Sequence, residues 1–243
     1  MACDGLFLAI GAHEPQKLRV PGEDEAEGVL HGVPFLRSVA LGEEVRLGER
    51  IVVVGGGNTA IDTARTAVRL GSRDVTIVYR RTRAEMPADP EEIEATLHEG
   101  IEIVYLGAPS KITRSGKDVL LECIRMELGE PDASGRRRPV VTGETEEMDV
   151  DLVIMALGNA SNPIVKDATP DLKTSKWGTI EIRPGSQETS IDDVYTGGDA
   201  NRGGSTAIKA AGDGQAAARE IAGNVPFTES EIKSLVASAE RYT

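Results

Sequence analysis

Residues 49–81 read "ERIVVVGGGNTAIDTARTAVRLGSRDVTIVYRR", and this stretch decides the fold. Four apolar residues, Ile51–Val54, run into a glycine turn. An amphipathic helix follows from about Asn58 to Leu70, and then a second apolar strand, Val75–Tyr79. A strand–helix–strand unit of about thirty residues suits a right-handed parallel crossover. Within it, Gly55-x-Gly57-x-x-Ala60 places a small residue wherever the chain must turn tightly or pack closely. Gly55 makes the turn, Gly57 lets a pyrophosphate approach bare backbone, and Ala60 brings helix and strand together. The first-turn amides of Asn58 and Thr59 then face the phosphates, with the helix dipole behind them. A glycine pattern alone is weak evidence. With a strand before it, a helix after it and a second strand on schedule, it predicts a dinucleotide site; the alternative is a bare strand–turn–helix.

The end of the second strand selects the dinucleotide. A site for NAD or FAD places Asp or Glu there, about twenty residues beyond the turn, to accept the ribose 2′-hydroxyl. Here the chain reads Tyr79-Arg80-Arg81. Two guanidiniums stand where a 2′-phosphate would lie, and guanidinium suits that dianion through bidentate hydrogen bonds. The expectation is NADP(H); the competing reading has both arginines capping a strand in solvent.

Working outward, the remaining sequence is punctuated by turns. Residues 5–12, "GLFLAIGA", read as a short buried strand, followed by a polar loop and a short helix over "PFLRSVAL" (34–41). A second helix is expected over 88–100, with Pro near its start, acids in its first turn and a terminal glycine. A third strand, "IEIVYLG" (101–107), leads to an antiparallel excursion from Lys111 to Met148, with turns at "SGKD" and "EPDASGRR". The segments "FLAIGA" (7–12) and "IMALGN" (154–159) echo one another, each a candidate last strand of its own nucleotide-binding sheet. Residues 194–206, "VYTGGDANRGGST", run from a strand end through Gly198 and Asp199 into an alanine-rich helix, and an acidic helix is expected around 229–240.

Composition excludes several classes. The net charge of −13 argues against nucleic acid, which needs clustered cations. The one basic run, Arg136-Arg137-Arg138, reads as a solvated hairpin loop. Cys3 and Cys123 cannot supply a C-x-x-C pair or four cluster ligands, and Cys123 reads as a core residue. His13, His31 and His98 have unrelated spacings, so no metal site is expected. The apolar runs are too short to cross a bilayer and the first residues do not resemble a signal peptide, which predicts a cytoplasmic protein.

"VVVGGGNTAIDTARTAVRLGSRDVTIVYRRTRAEMPA" resembles the NADPH-binding segment of the glutamate synthase small (beta) subunit and its NADPH-dependent, iron–sulfur-containing oxidoreductase relatives. "LAIGAHEPQKLRVPGED" resembles the strand and loop before that segment, and "YTGGDANRGGSTAIKAAGDGQAAAREI" the terminal flavin motif. The resemblance implies an α/β fold in which a Rossmann-like NADPH domain (46–160) is inserted into a split FAD domain. Residues 1–45 would be the tail of its first half and 161–243 its C-terminal part. It implies pyrophosphate at Gly55, Gly57, Asn58 and Thr59, beside Ala60, and the 2′-phosphate at Arg80 and Arg81. Gly158 and Asn159 would lie near the nicotinamide. Gly198 and Asp199 would meet the flavin ribityl chain, and the amides around Thr206 and Ala207 the pyrimidine edge of the flavin ring.

The family pattern also begins with cluster cysteines and an FAD fingerprint, and neither precedes residue 55 here. The sequence therefore reads as a fragment whose FAD–ADP-binding and iron–sulfur portion lies elsewhere. The isolated chain is expected to be inactive and to hold FAD through half a site. Implied partners are that missing portion, a glutamate synthase large subunit or a ferredoxin-type acceptor, with a homodimer as a further arrangement. The activity implied for the full context is hydride transfer from NADPH to FAD and on to iron–sulfur clusters, with no catalytic side chain. The alternative is a non-catalytic NADP(H)-binding module without flavin.

Overall fold

The computed structural model describes residues 4–24, 27–116, 118–132, 135 and 137–224. Cys3, Arg136 and the helix expected at 229–240 lie outside them. The chain divides into two compact units: residues 15–158 form one, and residues 1–14 with 159–243 the other. Residues 15–45, expected with the first flank, thus belong to the central unit.

In chain order the elements begin with strands β1 (Leu6–Leu8), β2 (Glu14–Pro15) and β3 (Val29–His31), then helix α1 (Gly32–Ala40). Strand β4 (Arg50–Val54), helix α2 (Asn58–Arg69) and strand β5 (Asp74–Tyr79) follow. After a 3-10 turn at Arg83–Glu85 come helix α3 (Pro90–His98) and strand β6 (Glu102–Tyr105). Strands β7 (Gly107–Ser115), β8 (Asp118–Pro131) and β9 (Arg137–Val150) precede β10 (Leu152–Met155) and β11 (Asn159–Ala160). The chain continues with α4 (Ile164–Ala168), β12 (Val194–Thr196), α5 (Asp199–Arg202) and α6 (Ala207–Asn224).

The central unit is built on a five-stranded parallel sheet, ordered β3-β10-β4-β5-β6. Strand β4 is apolar throughout its buried length because both of its faces are covered. Ile51 and Val53 pack with Ala60, Ile61 and Ala64 of α2, while Val52 and Val54 pack with Val119, Leu121 and Cys123 of the antiparallel sheet. Side chains alternate across a strand, so one continuous hydrophobic run serves two cores. The result is three layers: helices, parallel sheet, and the antiparallel sheet β7-β8-β9. Cys123 lies in the second core as expected, and burial pushes its thiol up to about 12.

Strand β3 shows where local reading of the sequence stopped. "VLH" sits in a stretch rich in Gly, Pro and charge, yet Val29, Leu30 and His31 pair with Val153, Ile154 and Met155. Pairing with a distant strand, not local pattern, makes this segment extended. Among the described residues, no helix is long and apolar enough to cross a membrane. Nor do three or more His, Cys, Asp or Glu gather as a metal site among them.

In the other unit, β1 pairs in parallel with β12, Leu6 to Val194 through Leu8 to Thr196. The strand expected over 5–12 is therefore three residues long, and it is not buried: Leu6 is 49% exposed and Phe7 36%. The stretch "WGTIEI" forms isolated bridges, Thr174 with Ile180 and Ile182 with Thr189, instead of a continuous strand. Leu172, Ile180 and Ala200 form a small core, and Tyr195 is buried.

Candidate functional site

In the central unit, a cleft of about 530 Å³ opens at the carboxyl ends of β4, β5 and β10. This is the end at which ligands enter open parallel sheets. Gly55, Gly57, Thr59, Arg80, Arg81 and Gly158 all line it. Of the remaining expected residues in this unit, Asn58 and Ala60 sit on the adjoining first turn of α2. Asn159 falls just across the boundary, in the other unit.

Each glycine of the turn meets a different constraint. Gly55 has φ +150°, and a β-carbon there would lie 2.3 Å from the Ala156 carbonyl oxygen. A β-carbon on Gly56 would lie 2.4 Å from the Tyr79 ring. Above Gly57 nothing comes nearer than Pro87 Cγ at 4.0 Å, so its backbone faces open cleft. Ala60 is fully buried against the turn. The amides of Ala60 and Ile61 both donate back to the Gly57 carbonyl, at 2.9 and 3.2 Å. The amides of Asn58 and Thr59 precede these bonds and have no partner within the helix. Asn58 uses its side chain elsewhere: Oδ1 accepts from the Asp89 amide at 3.0 Å, tying α2 to the start of α3.

Tyr79 was not singled out from the sequence, yet it forms the floor of the turn. Its ring fills the space beside Gly56, and its hydroxyl donates to the Glu85 carbonyl at 2.7 Å. Burial raises its phenol above the ordinary range. Beyond it, Thr82 and Glu85 cap the 3-10 turn reciprocally. The hydrogen bond from the Thr82 hydroxyl is the main cause holding the Glu85 carboxyl low. Arg80 is exposed and Arg81 half-buried. Neither forms an ion pair with a carboxylate among the described residues, and Arg81 Nε is buried without a hydrogen-bond partner. Lys17, from the segment read as a polar loop, also lines the cleft. Its ammonium is engaged by Asp24, whose hydrogen bond raises it.

A second, smaller cleft of about 390 Å³ lies within the other unit. Gly198, Asp199, Thr206 and Ala207 all line it, with Phe7 and Gly197. Gly198 adopts φ +61° and ψ −147°, a conformation suited to glycine. Asp199 Oδ1 accepts from the Ser205 amide at 3.0 Å, folding the loop back on the corner. The amides of Lys209 and Ala210 return to the Thr206 carbonyl, at 3.1 and 3.2 Å. Those of Ala207 and Ile208 are the donors without a partner in the helix. Asp213 holds the corner from α6: it accepts from the Gly198 amide at 2.9 Å and from Arg202 Nε at 2.6 Å, and is 3% exposed. The Arg202 hydrogen bonds lead in holding its carboxyl below the usual range. Nothing local distinguishes Asp213 from the other polar residues of that helix, so its role is legible only in three dimensions.

Comparison with known proteins gives consistent results. The family model for pyridine nucleotide-disulphide oxidoreductases matches residues 1–214. Among curated proteins, the chain is 40% identical over 222 residues to the NADP(+)-dependent formate dehydrogenase subunit beta of Moorella thermoacetica, covering 90% of this chain and 31% of that one. It is 36% identical to the NADPH-Fe(3+) oxidoreductase subunit beta of Geobacter sulfurreducens, covering 94% and 38%. It is 37% identical to a putative glutamate synthase [NADPH] small chain of Cereibacter sphaeroides, covering 90% and 55%. The chain thus spans about a third to a half of these relatives. Among solved structures, Lactococcus lactis thioredoxin reductase aligns with a TM-score of 0.71 at 24% identity, over 90% of this chain and 65% of that one. Mycobacterium tuberculosis FprA in complex with NADPH aligns at 0.69 and 22%, over 96% and 68%. These likenesses show the fold, that of flavoproteins with two dinucleotide-binding domains.

Proposed function

The chain belongs to the pyridine nucleotide-disulphide oxidoreductase family, and on that premise we propose that its central unit binds NADPH and its other unit one side of a flavin. The observation that carries this reading is the cleft joining a bare glycine turn to two arginines without carboxylate partners among the described residues. Gly57 and the amides of Asn58 and Thr59 hold the pyrophosphate, and Arg80 and Arg81 the 2′-phosphate. Arg81 Nε, buried and without a hydrogen-bond partner among the described residues, suits an anion acceptor. Gly158, at φ +93° on the cleft wall, and the adjacent Asn159 serve the nicotinamide end.

Asp199, which lines the smaller cleft, takes a flavin hydroxyl. The amides around Thr206 and Ala207, at the start of α6, stabilise negative charge at the ring edge. When bound, the two cofactors supply the chemistry, a hydride leaving the nicotinamide for the flavin. The residues named bind and orient; none acts as acid, base or nucleophile. Two of the relatives are subunits named beta. By likeness, the electrons go on to an acceptor such as an iron–sulfur centre in a portion or partner beyond this chain. The glutamate synthase type is one form of that partnership.

One experiment tests the reading. The protein is reconstituted with FAD, and nucleotide binding and flavin bleaching are followed without oxygen as NADPH or NADH is added. Because the chain alone is expected to be inactive, the preference is read first by binding. NADPH is expected to bind at far lower concentration than NADH, whether or not the chain retains FAD. Arg81→Ala should remove most of that difference, weakening NADPH by roughly 10- to 100-fold, the worth of a charge-assisted pair. Bleaching of retained flavin by NADPH would support a working flavin unit, and equal affinity for NADPH and NADH would overturn the reading. NADPH binding by a protein that retains no FAD would support either a fragment of the flavoprotein or a flavin-free NADP(H)-binding module.

A further inference from the structure

The basic run 136–138 reads from sequence as a solvated hairpin, and the fold gives one of its arginines another setting. A cavity of about 340 Å³ is lined by Arg80, Arg81, Asp132, Arg138 and Pro139. Arg80 and Arg81 line both this cavity and the glycine-turn cleft, so they stand where the two spaces meet. The far wall comes from the hairpin that joins β8 to β9. Arg137 is tied to that hairpin, its guanidinium donating to the Leu128 and Gly129 carbonyls at 3.0 Å each. Arg138 is not so bound. Its ion pair with Asp132 spans 3.7 Å, beyond hydrogen-bond length, and its side chain is 79% exposed.

Three guanidiniums therefore surround a space with one carboxylate among its described lining residues. Guanidiniums lining one space suit a dianion with several acceptor oxygens. We propose that Arg138 is a third cation for the 2′-phosphate of NADPH, so that the antiparallel excursion takes part in choosing NADP(H) over NAD(H). The inference rests on the reading of the cleft as an NADPH site. It goes further in making cofactor choice a joint property of the β5 end and a hairpin from another sheet.

The test uses the full chain with NADPH, NADH and adenosine 2′,5′-bisphosphate, the last isolating the phosphate subsite. Arg138→Ala should weaken NADPH and the bisphosphate about tenfold, leave NADH unchanged, and make NADPH binding less salt-sensitive. Arg138→Lys, which keeps the charge but loses the fork, should fall between. Unchanged NADPH affinity in Arg138→Ala, while Arg81→Ala loses it, overturns the inference alone. Equal losses for NADPH and NADH also overturn it, since they mark a structural role for the hairpin. A wild-type chain with no preference for NADPH overturns the underlying reading as well.

Discussion

At the scale of single residues, the glycines at 55 and 57 separate stability from binding. Gly55 is pinned by neighbours: its amide donates to the Val78 carbonyl at 3.1 Å, and the Ala156 amide donates to Val54 at 2.8 Å beside it. Gly55→Ala forces a methyl onto the Ala156 carbonyl at a positive φ. It should destabilise the fold by roughly 2–4 kcal/mol, combining backbone strain with overpacking. Gly57 has φ −95°, which any residue adopts, and open space above it. Gly57→Ala should leave the denaturant midpoint nearly unchanged while cutting NADPH affinity, because its methyl occupies the approach of the pyrophosphate. If both variants lose stability equally, the division between the two glycines fails. The sequence pattern named both positions; the Tyr79 ring beside Gly56 appears in no motif, because its place depends on how β5 lies against β4.

At the scale of elements, the Gly198 corner depends on helix α6 through Asp213. Arginine hydrogen bonds and the Gly198 amide favour the charged carboxylate in the folded state. Its folded-state pKa lies below the unfolded one, so its contribution is complete above the ordinary carboxylate range and is lost as pH falls through the depressed value. Asp213→Asn should therefore lower stability at neutral pH by about 1–3 kcal/mol. It should also narrow the gap in denaturant midpoint between neutral pH and about pH 3. Part of the acid sensitivity should persist, because Asp151 and Glu99 are held low in the central unit by their bonds to Arg50 and Arg65. An unchanged gap would show that the corner does not rely on the Asp213 charge. Helices α2 and α3 were legible because apolar spacing and caps are local: Asp89 accepts from the Glu91 amide, with Pro90 in the first turn. Strand β3 was not, since its partner lies more than a hundred residues away.

At the scale of the whole molecule, the chain enters the central unit once and leaves it once. That unit has two cores of its own, one on each face of its parallel sheet. Among the described residues, the other unit has one small core and leaves Leu6 and Phe7 partly exposed on its two-stranded sheet. Residues 15–158, produced alone, should melt cooperatively by circular dichroism and keep the preference for NADPH over NADH. Loss of either would mean that the central unit depends on its flanks.

The sequence by itself determined the crossover unit, the small residues at its turn, the arginines after its second strand and the glycine-rich corner before α6. All are set by short-range sterics and by side-chain chemistry within a few residues. Tertiary structure alone decided that residues 15–45 belong with the central unit, that Asp213 braces the Gly198 corner, and that Arg138 shares a cavity with Arg80 and Arg81. These are contacts between segments distant along the chain, and the burial and pairing that create them leave no periodic mark at either end.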